Sequence, residues 1–258
     1  MIAVTERPRV LARTTGPSVV LARSDYSETS LVVKLLVRGC GKLRLLAKGA
    51  KRPRSPMRGL DIAEIGAAAF IDKGPDRLGI LTGWSPAKRL PALRTSLARL
   101  GAAYRILELA DAAIDEREPN EDVFDLVVDS LEAAAAMDAP GLLVLAVEAR
   151  VLELAGYGID LETCAGCGAP VPKGRQAVTL VADEGGLYCG RCRRAGPGAR
   201  KLSAGALATL RALKGADVKK VARLTASAII MAELDGALAA VVKGFLHKDL
   251  RTNGGPWL

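Results

Sequence analysis

Four cysteines carry the most definite chemistry in the sequence. Cys164-Ala-Gly-Cys167 is answered by Cys189-Gly-Arg-Cys192 after a spacer of 21 residues. Two residues between paired cysteines permit a tight turn that aims both sulfurs at one point, and two such pairs predict a tetrahedral metal knuckle. Gly166 and Gly168 give the first turn the backbone freedom it needs. Four thiolates suit a single Zn²⁺ and leave no open position for water, so the predicted ion is structural and not catalytic. Beside four idle thiols, two disulfides are the competing arrangement. They require an oxidising compartment, whereas the first residues do not resemble a secretion signal, and a cytoplasmic setting is expected. A redox Cys-x-x-Cys would stand once, near a strand-helix junction, and not as a matched pair.

The second chemistry is charge. The chain of 258 residues carries a net charge of +9, and its distribution matters more than its size. Residues 1–60 hold 13 Lys and Arg against three acids (Glu6, Asp25 and Glu28), whereas the remaining 198 residues hold 24 against 25. Cations spread for solubility would be dispersed; an excess gathered in one quarter of the chain predicts a polyanion footprint. Its densest part is Lys42 to Arg58, with seven basic residues and no acid. Within it, Lys48-Gly-Ala-Lys-Arg-Pro-Arg-Ser-Pro-Met-Arg58 is interrupted by two prolines and a glycine, which excludes a helix or central strand and predicts an exposed loop. A merely solvated loop is the plain alternative. It is weakened because the flanking strands are themselves basic through Arg7, Arg9, Arg13, Arg23, Lys34 and Arg38. The predicted phosphate contacts are Arg23, Lys34, Arg38, Lys42, Arg44, Lys48, Lys51, Arg52, Arg54 and Arg58. The same region offers only Tyr26, Phe70 and Trp84 as aromatics, the last two in apolar runs that predict core. Few stacking platforms mean that binding should be electrostatic, salt-sensitive and poor in sequence preference.

Catalytic sets are thin. His247 is the only histidine, so no Ser/His/Asp set can be assembled with others. No phosphate-binding Gly-x-x-x-x-Gly-Lys-Ser/Thr loop occurs; Gly196-Pro-Gly-Ala-Arg-Lys201 has the wrong spacing and a proline. The acid pairs Asp115-Glu116 and Glu121-Asp122 fall at helix ends, and Cys40 lies in a turn with no histidine near it. No enzyme is expected. The readings kept beside it are a zinc-ribbon RNA-binding or transcription-associated factor and a zinc-dependent nucleic-acid enzyme, the latter needing an exchangeable metal position.

These residues must be held by elements, and the pattern changes once along the chain. Up to about Trp84 the sequence reads as short β-branched runs: 10–14, 18–23, 30–37, 42–47, 61–72 and 78–84. Thr15-Gly16-Pro17, 24–28, Gly39-Cys40-Gly41 and 73–76 separate them as turns. Five or six strands with no helix between them imply a small closed barrel or sandwich. A five-stranded oligonucleotide-binding (OB) barrel fits that size and strand count, and periodicity alone does not choose between it and an SH3-like barrel. From Pro91 the apolar spacing becomes helical. One helix should end near Asp115, a second should open at Asn120, and a third should run over 142–154. The knuckle follows with a small hairpin over 178–188, then a helix capped by Ser203 and a final helix from about Ser227 to Leu250. The expected architecture is α+β and multidomain: an OB-type barrel over 1–85, then an α-helical domain over 86–258 with the four-cysteine zinc knuckle inserted at 160–195. The run 226–246 contains Glu233, Asp235 and Lys243, which predicts a packed helix and no membrane span.

Several of these pieces together resemble a known family. Val10-Leu-Ala, Tyr26-Ser-Glu28, Gly41-Lys42, Ala47-Lys-Gly-Ala-Lys51 and Ser55, followed by a helical domain with two Cys-x-x-Cys pairs, look like the bacterial RecO recombination mediators. The stretch 238–251 resembles that family's last helix, so the likeness spans nearly the whole chain. The resemblance implies an N-terminal OB barrel, an α-helical C-terminal domain and often a bound zinc. It further implies binding of single- and double-stranded DNA, annealing of complementary strands, and action with RecR to load RecA onto strands coated by SSB. RecR and SSB are partners implied by the resemblance only and are assigned to no residue. A nucleoid-associated location accompanies it. The Gly-Lys and Lys-Gly-Ala-Lys positions match the family pattern, and the basic loop is carried over with them as a DNA contact.

Overall fold

In a computed structural model of the chain, residues 12–171, 176–192, 195–196, 198–246 and 250–255 are described. Arg7, Arg9, Val10, Arg193, Arg194, His247 and Lys248 lie outside them. Two compact units are present. One comprises the chain up to Arg89 together with Glu116–Pro119; the other comprises Leu90–Asp115 and everything from Asn120.

The first unit is a five-stranded closed barrel of β1 (Arg13–Asp25), β2 (Leu31–Val37), β3 (Gly41–Ala47), β4 (Ile65–Ile71) and β5 (Gly79–Lys88), ordered β1-β2-β3-β5-β4. The β3–β5 pairing is parallel and the others are antiparallel, the topology of an OB-type barrel. Alternation builds the core: Leu31, Val33, Leu35 and Val37 of β2 face inward with Leu43, Leu45 and Ala47 of β3. Phe70 and Trp84 are core residues, as their apolar surroundings predict.

The expected turn at Thr15-Gly16-Pro17 does not exist, and two predicted strands are one. β1 runs straight through it, pairing with β4 over Arg13–Val19 and with β2 over Ser18–Asp25. A strand that closes a barrel has to bend as it passes from one neighbour to the next, and Gly16, Pro17 and the irregularity between Val20 and Ala22 supply that bend. The Pro17 carbonyl accepts from Arg38 N at 2.9 Å.

The second unit is helical. A 3₁₀ turn, Pro91–Arg94, precedes α1 (Leu97–Ala113), α2 (Glu121–Ala136) and α3 (Gly141–Leu154). Leu142 to Ala149, Val151 and Leu152 are all buried, so α3 is the helix around which the unit packs. The Asn120 side chain caps α2 by accepting from Val123 N at 3.0 Å. Beyond the knuckle, α4 (Ala204–Lys214) starts at Ser203, whose Oγ accepts from Ala206 N at 3.1 Å. The last helix, α5, spans Ala228–Leu246, and Leu250 is buried but not helical. Among the described residues no helix is long and apolar enough to cross a membrane.

Candidate metal centre and nucleic-acid interface

The knuckle rests on a four-stranded sheet, larger than the predicted hairpin. β6 (Asp160–Cys164), β7 (Val178–Val181), β8 (Gly186–Tyr188) and β9 (Ala199–Leu202) are ordered β6-β8-β7-β9. β6 and β8 are parallel neighbours. Cys164 ends β6 and Cys189 follows β8, so both pairs leave adjacent strands from the same end.

The two halves repeat one local design. The Cys164 sulfur accepts from the backbone N–H groups of Gly166 and Cys167, and the Cys189 sulfur accepts from those of Arg191 and Cys192. Cys189 N also donates to Cys164 Sγ at 3.3 Å, tying one turn to the other. A Cβ on Gly166 would approach Cys192 Cβ to 2.9 Å, and Gly168 has φ +69°, so both positions require glycine. The four sulfurs lie within 4.8 Å of one another, with Cys167 and Cys189 at 4.0 Å. Sulfurs about 2.3 Å from a tetrahedral zinc stand about 3.8 Å apart, so the donor set fits one thiophilic ion. The amide donors, first that of Cys189, pull the Cys164 thiol down to about 6, while Cys192 is pushed up to about 12 by hydrogen bonding to Cys167 and then Cys189. Sulfurs that close cannot all ionise unless a cation holds them. All four predicted ligands are brought together.

On the barrel, the predicted cations divide by position. Ala22, Lys34 and Arg44 are successive partners across β1, β2 and β3, forming one outward row. Ala22, Arg23, Ser24, Val32, Lys34, Arg44 and Glu116 line a hollow of about 320 Å³. Arg23 also pairs with Asp61 at 3.2 Å. Arg38 is exposed in the β2–β3 turn. Lys42 differs from the rest: it is 6% exposed, and its carbonyl accepts from Arg117 N at 3.0 Å.

Lys48, Lys51, Arg52, Arg54 and Arg58 are all exposed, yet the loop bearing them is anchored. Met57 and Leu60 insert into the barrel core, and Ser55 is buried with its Oγ accepting from Met57 N at 3.2 Å. The near end is fixed as well. Gly49 N donates to Ser30 Oγ at 3.2 Å, Lys51 N to Thr29 O at 3.0 Å, and Lys51 Nζ meets Asp25 at 2.7 Å. The loop therefore abuts the β1–β2 turn, which carries Tyr26, 61% exposed. The anchors escaped notice in the sequence because Met57 and Leu60 are isolated apolar residues among prolines and arginines; their spacing follows neither helical nor strand period.

The helical unit contains a charged group that sequence patterns did not mark. Arg105 of α1 and Glu148 of α3 are both wholly buried, with Arg105 Nε donating to Glu148 Oε1 at 2.7 Å. Arg105 Nη1 donates to Asn253 Oδ1 at 2.5 Å. Burial pushes the Glu148 carboxyl up to about 7 against the pull of Arg105, and Asp235 raises it further. Neither Glu148 Oε2 nor Asp235 Oδ1, both buried, has a hydrogen-bond partner among the described residues. Glu108 holds the adjoining segment, accepting from Arg251 N and Thr252 N, each at 3.0 Å.

The family model described as Recombination protein O N terminal matches residues 11–86, and that described as Recombination protein O C terminal matches residues 94–253. A DNA repair protein RecO of Moorella thermoacetica is 30% identical over 234 residues, covering 91% of this chain and 86% of its own. One of Anaeromyxobacter dehalogenans strain 2CP-C is 34% identical over 234 residues, 90% of this chain and 91% of its own. One of Rhodopirellula baltica is 34% identical over 180 residues, covering 68% of this chain and 66% of its own.

Proposed function

The chain belongs to the RecO family of DNA repair proteins, and on that premise we propose that it is a non-enzymatic DNA-binding recombination mediator. It binds single- and double-stranded DNA, anneals complementary single strands and, with RecR, helps to load RecA onto SSB-coated single strands. The observation that carries this reading is the gathering of cations on the barrel: half-buried Lys34 beside exposed Arg44, and an anchored loop bearing exposed Lys48, Lys51, Arg52, Arg54 and Arg58. Cations on a fixed loop meet phosphates without first ordering the loop, and each contact gains by counterion release. Arg23 and Arg38 extend the surface, while the burial of Lys42 leaves it a supporting part in β3. Tyr26 is the one aromatic of the barrel displayed well enough to stack on a base, which suits binding with little sequence preference. The four thiolates of Cys164, Cys167, Cys189 and Cys192 hold one Zn²⁺ in a closed site, where it braces the sheet and offers no position for catalysis.

The test is a salt titration of binding to a single-stranded oligonucleotide, comparing the wild type with the variant carrying Lys48→Ala, Lys51→Ala, Arg52→Ala and Arg54→Ala. Each lost phosphate contact should flatten the plot of log affinity against log salt by about 0.7, so the variant should lose roughly 2 to 3 from its slope while staying folded. Equal slopes would remove the loop from the interface, and tighter binding to RNA than to DNA would favour an RNA-directed function.

A further inference from the structure

Within the closed barrel, part of β3 has an open side, and the chain covers it with an acidic strap. β5 pairs with β3 only at Leu45–Ala47, so the earlier part of β3, from Gly41 to Arg44, has no strand on that side. Residues 116–119, Glu-Arg-Glu-Pro, occupy the gap: Glu116 forms a parallel bridge with Lys42, and Arg117 N donates to Lys42 O at 3.0 Å. The strap is held hard. Arg117 has φ 64°, and its guanidinium grips Asp72 at 3.0 and 3.1 Å and the Gly74 carbonyl at 2.5 Å. Gly41, at φ +75°, lies so close to Glu118 that a Cβ would come within 2.2 Å of its carbonyl oxygen. Covering an exposed edge accounts for the backbone of this segment. It does not account for a carboxylate at position 116.

The Glu116 side chain, 41% exposed, lines the hollow that also contains Arg23, Lys34 and Arg44. Those cations belong to the proposed phosphate-binding row, so a carboxylate stands among groups that would meet DNA. It pairs with Arg117 Nη1 at 3.5 Å, a long contact beside the two bonds by which Arg117 grips Asp72. We propose that Glu116 is a resident anion of the DNA surface: fixed by the strap, it competes with a backbone phosphate for Lys34 and Arg44 and so sets how tightly the barrel holds a strand. A mediator has to release DNA as well as bind it, and a built-in competitor shortens residence without removing cations needed for encounter. This rests on the DNA-binding reading of the barrel.

The experiment measures affinity for a single-stranded oligonucleotide over a salt series for the wild type, Glu116→Gln, Glu118→Gln, Lys34→Ala/Arg44→Ala, and the last combined with Glu116→Gln. Glu116→Gln keeps the backbone bridge and the Arg117 clamp, and its melting should match the wild type. It should bind about three- to fivefold more tightly at low salt, with a slope steeper by about 0.7. Glu118→Gln makes the same change in net charge outside the hollow and should leave binding unchanged. The gain from Glu116→Gln should disappear when Lys34 and Arg44 are already alanine. A gain that survives their removal, a gain equal to that of Glu118→Gln, or no gain would overturn the proposal. If Lys34→Ala/Arg44→Ala itself binds like the wild type, the failure lies in the DNA reading of this face.

Discussion

At the scale of single residues, the two groups of buried or clustered charge differ in how the sequence shows them. Cys164, Cys167, Cys189 and Cys192 are legible because a knuckle is local: two residues between cysteines dictate a turn, and the turn dictates convergence. Arg105 and Glu148 are 43 positions apart on two helices, and neither residue lies in a motif; only packing makes them partners. Their burial has a consequence in solution. In the folded chain Glu148 titrates near 7, against an ordinary 4.5. Below 4.5 the carboxyl is protonated in both states; between the two values the unfolded chain alone has given up its proton, so folding must take one up. Stability from this residue is therefore fully present below about 4.5 and lost as pH rises through about 7, by an amount on the order of 3 kcal/mol. Arg105 opposes the shift and Asp235 adds to it, and both face the same buried space. Glu148→Gln, which cannot titrate, should melt with a flatter pH profile across that window, and the wild type should lose ground to it as pH rises. Parallel profiles would mean that Glu148 is ionised throughout, held by Arg105.

At the scale of elements, periodicity identified β2, β3 and the helices, and the capping residues Asn120 and Ser203 mark real helix starts. Failures occur where the barrel's closure overrides local chemistry. Gly16-Pro17 reads as a turn, yet it is the bend of one strand shared by two neighbours. The open side of β3 arises from the short β3–β5 pairing and is filled at Lys42 by Glu116, 74 residues further along the chain; no local pattern announces either. The knuckle's sheet is similar, for β6 and β9 are five and four residues long, too short to stand alone beside β8 and β7, and the sheet is expected to depend on an ion held by the four sulfurs. That dependence can be tested. Cys164→Ser, or treatment with a strong chelator, should lower the melting temperature of the helical unit by about 10 °C or more, because metal binding in such a site contributes directly to folding. Barrel signals should change far less. Superimposable melts with and without chelator would show that the sheet stands without an ion.

At the scale of the whole molecule, charge is partitioned: cations gathered in the first unit, and a near-neutral helical unit that contains the buried Arg105–Glu148 pair and the cluster of four cysteines. The asymmetry was plain in the sequence because it needs only counting. What counting could not supply was presentation: Met57 and Leu60 fix the basic loop to the barrel core, and Glu116 joins the cationic row. On the proposed reading, both suit the surface to hold a strand by its phosphates and to let it go. A mediator with this surface should work on strands already covered by another protein, and it should need no nucleotide. The most direct test is annealing of complementary single strands precoated with SSB, with and without the protein. Acceleration in the absence of any nucleotide, lost when Lys48, Lys51, Arg52 and Arg54 become alanine, is the predicted result. Annealing at the uncatalysed rate by a folded protein that still binds bare DNA would contradict the account.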